Sequence, residues 1–463
     1  MNGVCRGEIG RLWGGIILGE KERFLLVHPE ISRTKYNFAG VIDNESLELE
    51  YIYAMLKREG LEPDIWDGQV ETISLVEKLK SFRPGYVYVC GRTRQENFMK
   101  EYCRAAKELC GSTTMIGGVH AQHNYTRFYE DDIDYIITTF DIYKILDILH
   151  GKPLTEIEGI CFKKDGVWTH NGAHAFDIEK LPFPDRTYFY AHTDRYRYLE
   201  LLPCAHIRTA YSCPYHCKFC YRNRLNCGVY SSRTMESVVE EIKEIACENI
   251  FIIDDDFLIE RERVSQFVRL IRENHIHKRY VCYGRADFIS KNPELMKELK
   301  EIGFYYILVG LEAVHDKYLV DYHKLSDMSC NTAAVKILNE AGINIMGMFI
   351  VDLDFVPGDF ADLYKWIKKH QLKHTAISIF TPEMSSELME QYRHRLVTEN
   401  PEAWDYLHVV AKPSKLSVKR YYFHYHVLVA KLFIKGYKEG IYDFLDYGYF
   451  IGSILKNMFR FGG

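Results

Sequence analysis

Two separate runs of strand–helix alternation limit what this chain can fold into more than any other feature. In the first run, the β-type segments Phe24–His28, Tyr86–Cys90, Thr113–Ile116 and Ile133–Thr138 are separated by amphipathic stretches. Leu47–Arg58 places Leu47, Tyr51, Ala54, Met55 and Arg58 at helical spacing before Gly60, and Asn97–Leu109 reads as a helix ended by Cys110-Gly111. Short apolar strands joined by helix-length segments pair in parallel, with the crossover helices on both faces of the sheet. Ligands of such sheets lie beyond the carboxyl ends of the strands, so the loops Pro29–Gly40, Gly91–Arg94 and Gly117–Gln122 are the expected lining of a site.

The second run starts at Cys204, with candidate strands Ile207–Tyr211, Ile250–Ile253, Tyr280–Tyr283, Tyr306–Gly310, Ile345–Val351 and Ala376–Phe380. Candidate helices Glu236–Ala246, Arg263–Glu273, Glu294–Glu301, Thr332–Glu340 and Asp359–His370 lie between them. Gly303 and Gly342 fall where a helix stops. Six such units suit a partial or full parallel barrel, with its site at the carboxyl ends of the strands. Between the runs, Asp165-Gly166 reads as a hairpin turn, and Lys180-Leu-Pro-Phe-Pro-Asp185 is extended. The expected organisation is an α/β chain with a Rossmann-like domain over residues 1–150, a connector over 151–203, a (β/α)6 partial barrel over 204–380 and a mostly helical domain over 381–463.

A chain of 463 residues is too long for one core, and 47% apolar with 27% charged residues is the composition of a globular protein. A formal charge of −5 leaves no electrostatic footprint for nucleic acid. The 13 cysteines are odd in number and end at Cys330, which points to a reducing, cytoplasmic setting rather than a disulfide framework. Leu12–Leu18 is too short for a signal segment and is flanked by Glu8 and Glu20; no run reaches the length of a transmembrane helix. The apolar stretch Tyr447–Phe461 is read as a packed C-terminal helix, with a segment lying on a membrane surface as the alternative.

Three cysteines crowd into one loop after the first strand of the second run: Cys213-Pro-Tyr-His-Cys217-Lys-Phe-Cys220. Soft thiolates this close suit an iron–sulfur cluster or zinc. Cys227, Cys204 or His216 would complete a zinc site. A four-iron cluster on three thiolates instead leaves one iron open for a substrate-like ligand. The triad Asp254-Asp255-Asp256 ends an apolar strand, where carboxylates are costly unless they meet cations. A solvated strand end, with Asp254 or Asp255 capping the next helix, is the plainer reading of those residues.

With the aromatic Phe219 before its last cysteine, the C-x3-C-x2-C loop resembles the radical S-adenosylmethionine enzymes, and further matches point to their cobalamin-dependent branch. Ile252–Phe257, Cys282–Asp287 and Val309–Glu312 resemble the motifs of barrel strands two, three and four. Ile116-Gly-Gly-Val-His-Ala121 looks like the glycine loop of the cobalamin domain, and Leu181–Arg186 like its connector. The resemblance implies a [4Fe-4S] cluster on Cys213, Cys217 and Cys220. It also implies S-adenosylmethionine against Phe219, Tyr221, Asp254, Asp255, Asp256, Arg285, Gly310 and Glu312, and cobalamin against Gly91, Arg92, Thr93, Gly117, Gly118, Val119, His120 and Ala121. No D-x-H-x-x-G supplies a histidine for the cobalt, and His28 stands alone. The activity so implied is radical methylation of an unactivated carbon in a small molecule or lipid, with oxidation, cyclisation or rearrangement as the alternative. A one-electron reductant such as flavodoxin or ferredoxin would be a partner, and a non-catalytic zinc protein is the remote alternative. Ion pairing of Arg285 with Asp287 or Glu312 is a purely structural reading of that residue.

Overall fold

The computed structural model describes residues 23–31, 41–324 and 326–445. Leu12–Leu18, Tyr447–Phe461 and residues 32–40 of the first candidate loop lie outside the described residues.

The first sheet has seven strands: β1 (Arg23–His28), β2 (Glu62–Asp67), β3 (Tyr86–Cys90), β4 (Thr113–Gly117), β5 (Tyr135–Ile137), β6 (Ile160–Lys164) and β7 (Val167–His170). Their order is β2-β1-β3-β4-β5-β6-β7. The first five are parallel, with Leu26 opposite Tyr88 and Tyr88 opposite Met115. The β6–β7 hairpin turns at Asp165-Gly166 and adds antiparallel to β5, so it extends this sheet. Helices α1 (Leu47–Arg58), α2 (Leu75–Phe82), α3 (Glu96–Cys110), α4 (Val119–Asn124) and α5 (Tyr143–Leu149) accompany the strands. Two apolar clusters form, one around Leu26, Ile52, Tyr88 and Met115, the other around Leu25, Val27, Met99 and Ile116. Helices on both faces are thus seated on alternating strand residues.

The second sheet runs in chain order: β8 (Cys204–Ile207), β9 (Asn249–Ile252), β10 (Arg279–Arg285), β11 (Phe304–Glu312), β12 (Asn344–Val351) and β13 (His374–Ile379). All neighbours are parallel, with Ile207 opposite Ile252 and Ile252 opposite Cys282. The expected first strand, Ile207–Tyr211, divides into β8 and a short Ala210–Tyr211 pairing with Ser231–Ser232. Helices α6 (Met235–Glu244), α7 (Arg261–Glu273), α8 (Pro293–Glu301), α9 (Asp316–Asp321), α10 (Met328–Ala341) and α11 (Pro357–Lys369) accompany this sheet. Residues 381–417 hold only short turns and one four-residue helix; α12 (Val418–Lys438) then crosses back onto the barrel. Its Tyr421 hydroxyl donates to the Val351 carbonyl (2.8 Å) and its Tyr425 hydroxyl to the Ile377 carbonyl (3.0 Å).

The connector is bonded to both halves. Arg186 is buried and donates to the His206 carbonyl (2.7 Å) and to Glu241 (2.6 Å), while Arg233 reaches the other oxygen of Glu241. A buried carboxylate shared by two guanidinium groups is compensated where a lone one would not be. On the other side, Asp185 accepts from Lys57 (3.1 Å) of α1.

Candidate active site at the cysteine loop

The cysteine loop leaves β8 at a carboxylate clamp. Asp254, buried at the end of β9, accepts from the amides of Thr209 (2.7 Å) and Ala210 (2.9 Å) and from the Thr209 hydroxyl. Both its oxygens are therefore used in shaping the backbone that leads to Cys213. Ser212 follows in the left-handed region, φ 72°, which turns the chain into the loop. The loop is held from the other side by the Lys218 amide, which donates to the Tyr322 carbonyl (3.1 Å).

Cys217 is buried; Cys213 and Cys220 are partly covered. Arg285, at the end of β10, aims its guanidinium at the Cys217 sulfur (3.6 Å), and the Arg222 amide points at the Cys220 sulfur (3.4 Å). Burial pushes the Cys213 thiol up to about 12 and that of Cys220 to about 11. No three His, Cys, Asp or Glu side chains among the described residues converge as ligands of a single ion. Thiolates that bind separate corners of a cluster have no such requirement. Cys227 is exposed and points at the Ala173 carbonyl (3.3 Å), Cys204 is buried within β8, and His216 pairs with Asn223 (3.1 Å). A donor set of three soft sulfurs fits an iron–sulfur cluster with one open corner.

Beside the loop lies a buried charged cluster. Arg285 stacks on the Tyr215 ring at 3.8 Å and also bonds Asp287 (2.8 Å) and the Lys324 carbonyl (2.5 Å). Lys324 is 5% exposed and its ammonium meets Glu312 at 2.7 Å. Glu312 sits at φ 57°, where β11 slips register against β12 just after Gly310. That irregularity re-aims the carboxylate. A Cβ on Gly310 would strike Glu312 and stand 2.7 Å from the Lys324 nitrogen, so this position has no room for a side chain. Asp255 is paired with Arg222 through one oxygen, and its other oxygen is buried without a partner. One oxygen of Asp256 is likewise unpartnered, and burial pushes this carboxyl up to about 8, against the pull of Arg285 and Lys324. Two orphaned buried carboxylate oxygens fit a cationic ligand such as the ammonium of an amino acid. Phe219 packs edge-on to Tyr322 (5.3 Å), and the Arg222 guanidinium lies 5.9 Å from the centre of the Tyr221 ring. Lys324, Arg222 and Tyr215 were missed as site members: isolated residues in loops carry no periodicity or spacing signal.

The carboxyl ends of the first sheet face this loop. Tyr211 donates to Gln122 of α4 (2.8 Å) and stacks on Phe140 (4.2 Å). Along this seam Gln122 Nε2, His123 Nε2 and Asn223 Oδ1 are buried without partners. Unused donors and an acceptor on both sides fit a large ligand bearing amides, as a corrin does. The expected cobalamin residues divide into two groups. Arg92 is exposed and Thr93 and Val119 are half-buried. Gly91, Gly117, Gly118, His120 and Ala121 are packed into the protein. A Cβ on Gly117 would run into the Tyr88 phenol, one on Gly118 would stand 3.2 Å from Cys90 Cβ, and one on Gly91 would be 3.0 Å from Met99. His120 meets Glu96 at 2.8 Å and Thr93 at 3.2 Å. His28 is held by Gln69 (2.8 Å) and Asp67 (3.2 Å). Both ring nitrogens of His120 are thus engaged within the protein, and His28 is held through its Nδ1.

Three loop thiols lie at the mouth of a parallel barrel, and residues 207–367 match the family described as the Radical SAM superfamily. The fold of this chain is shared with two solved structures of cobalamin-binding radical enzymes. Hopanoid C-3 methylase of Methylococcus capsulatus is 25% identical over 399 residues, covering 82% of this chain and 74% of its own. Anaerobic magnesium-protoporphyrin IX monomethyl ester cyclase of Cereibacter sphaeroides is 23% identical over 418 residues, 85% of this chain and 68% of its own. Among solved structures, the methyltransferase TsrM from Kitasatospora setae, with cobalamin and a [4Fe-4S] cluster bound, superposes with a TM-score of 0.68 at 16% identity over 92% of both chains. The cobalamin-dependent enzyme OxsB, with aqua-cobalamin and S-adenosylmethionine bound, gives 0.70 at 15% identity over 86% of this chain. This chain spans 65% of the OxsB chain.

Proposed function

We propose that this chain is a cobalamin-dependent radical S-adenosylmethionine methyltransferase acting on an unactivated carbon of a small molecule or lipid. The observation that carries the reading is the loop of Cys213, Cys217 and Cys220. It is flanked by Arg285 and the orphaned Asp255 and Asp256 oxygens, and it faces the carboxyl ends of the first sheet. When bound, the cluster supplies the electron that cleaves S-adenosylmethionine, and cobalamin supplies the methyl group. The chain's own residues bind and orient. Asp255 and Asp256 receive the ammonium of the methionine end, and Arg285 holds Cys217 in place. Arg92, Thr93, Val119, Gln122 and His123 offer their polar and exposed groups to the corrin side. Tyr211, Phe140 and Tyr221 crowd the seam with rings that keep water from a reactive intermediate.

Anaerobic reconstitution followed by iron, sulfide and cobalamin analysis tests the cofactor assignment. Bound zinc without sulfide, or failure to retain cobalamin, refutes it. Deuterium passing from substrate into 5′-deoxyadenosine, together with a methylated product, tests the activity. Resemblance to the monomethyl ester cyclase favours a second reading, radical cyclisation or oxidation without methyl transfer. Deuterium transfer with no methylated product selects it.

A further inference from the structure

Helix α12 has two apolar faces, and the described residues bury only one. Tyr421, Tyr425, Leu428 and Leu432 are buried against the barrel. On the opposite side Phe423, Val427, Ala430 and Ile434 recur every third or fourth residue and face solvent; Phe423 is 64% exposed and Ile434 53%. A helix that only capped a barrel would carry polar residues there. The charge of the helix is equally one-sided. Its 21 residues contain Lys419, Arg420, Lys431, Lys435 and Lys438 and no Asp or Glu, in a chain whose formal charge is −5. Lys435 is engaged by the Leu372 carbonyl (2.7 Å) and Glu439 (2.7 Å), and Lys431 lies 5.5 Å from the centre of the Tyr364 ring. Arg420 and Lys438 flank the apolar stripe at its two ends. The sequence beyond, from Tyr447 to Gly463, repeats the composition: apolar and aromatic, with Lys456 and Arg460 and no acid.

We infer that the outer face of α12 docks on an anionic lipid surface. An apolar stripe bordered by cations seats its side chains at the boundary of headgroups and acyl chains, while the cations meet lipid phosphates. No helix among the described residues is long and apolar enough to cross a membrane, so the attachment is peripheral. This inference stands on the surface of α12 and does not depend on the radical chemistry.

Flotation of the full chain with vesicles of phosphatidylcholine, with and without phosphatidylglycerol, tests it. The parent should float with the anionic vesicles and much less with the neutral ones. Phe423→Ser with Ile434→Ser should lower partitioning at least about tenfold. Arg420→Glu and Lys438→Glu should each lower it about fivefold or more. All four side chains lie on the exposed face, and an unchanged melting temperature verifies that the variants remain folded. Absence of flotation with anionic vesicles overturns the inference, as does flotation indifferent to the serine pair. A stripe-dependent dimer that does not float assigns the face to a second copy of the chain and also overturns it.

Discussion

Replacing Lys324 by Met isolates the buried charge beside the cysteine loop. The Lys324–Glu312 pair has an N–O distance of 2.7 Å with side chains only 7% and 8% exposed. The surface pair Lys297–Glu294 has nearly the same distance, 2.9 Å, but side chains 58% and 74% exposed. Geometry alone predicts equal costs for Lys324→Met and Lys297→Met; burial predicts very different ones. Removing Lys324 leaves the Glu312 carboxylate buried without its ammonium partner, a loss of about 3–5 kcal/mol. Removing Lys297 costs no more than about 0.5 kcal/mol, because water and salt already screen that pair. In a unit the size of the barrel, the buried substitution lowers the melting temperature by roughly 6–20 °C. Glu312→Leu combined with Lys324→Met removes both charges and should recover most of the loss, since the pair then leaves no lone ion behind. Scanning calorimetry of the parent, the singles and the double gives the coupling. A Lys324→Met loss as small as that of Lys297→Met refutes the reasoning, as does a double variant no more stable than the single.

Cys213→Ala, Cys217→Ala and Cys220→Ala should each abolish stable cluster loading, read as iron and sulfide content, whereas Cys227→Ser should leave both unchanged. Gly117→Ala should destabilise the first sheet by about 1–3 kcal/mol through its collision with the Tyr88 phenol, and Tyr88→Ala should relieve the collision. Burial raises the Glu96 carboxyl, but its bonds to His120 and Arg127 outweigh burial and hold it at about 2. A carboxyl lowered on folding contributes stability above its unfolded value near 4.5 and loses it as the pH falls through about 2. Glu96→Gln should therefore cost about 3 kcal/mol at neutral pH. Urea melts of parent and variant should converge between pH 4.5 and 2.

The alternation of strands and helices was legible in the sequence because each element buries a periodic apolar set. Leu47–Arg58 and Tyr86–Cys90 have the bounds that their patterns predict. Glu62–Asp67 was not legible as a strand. It is the edge of its sheet and begins Glu-Pro-Asp, and an edge tolerates the proline that a central strand would reject. The β6–β7 hairpin was legible from Asp165-Gly166, but its attachment to the first sheet was not, because pairing partners distant in sequence leave no local pattern. In the site, the cysteine spacing stands out in the sequence because three soft ligands in one loop are rare. The division of labour among Asp254, Asp255 and Asp256 does not, since three identical side chains differ only in what tertiary structure sets against each. Lys324 belongs to the site only because α9 returns its loop to the end of β10.

The clamp of Asp254 on Thr209 and Ala210 bears on the history of the site as well as its geometry. A loop whose turn is held by a strand-end carboxylate and by the Tyr322 carbonyl takes its shape from contacts within the barrel itself. Much of the entropy of ordering the three thiols is then lost when the barrel folds, not when the metal binds. The ordering of the three cysteines is thus part of the folding of the barrel.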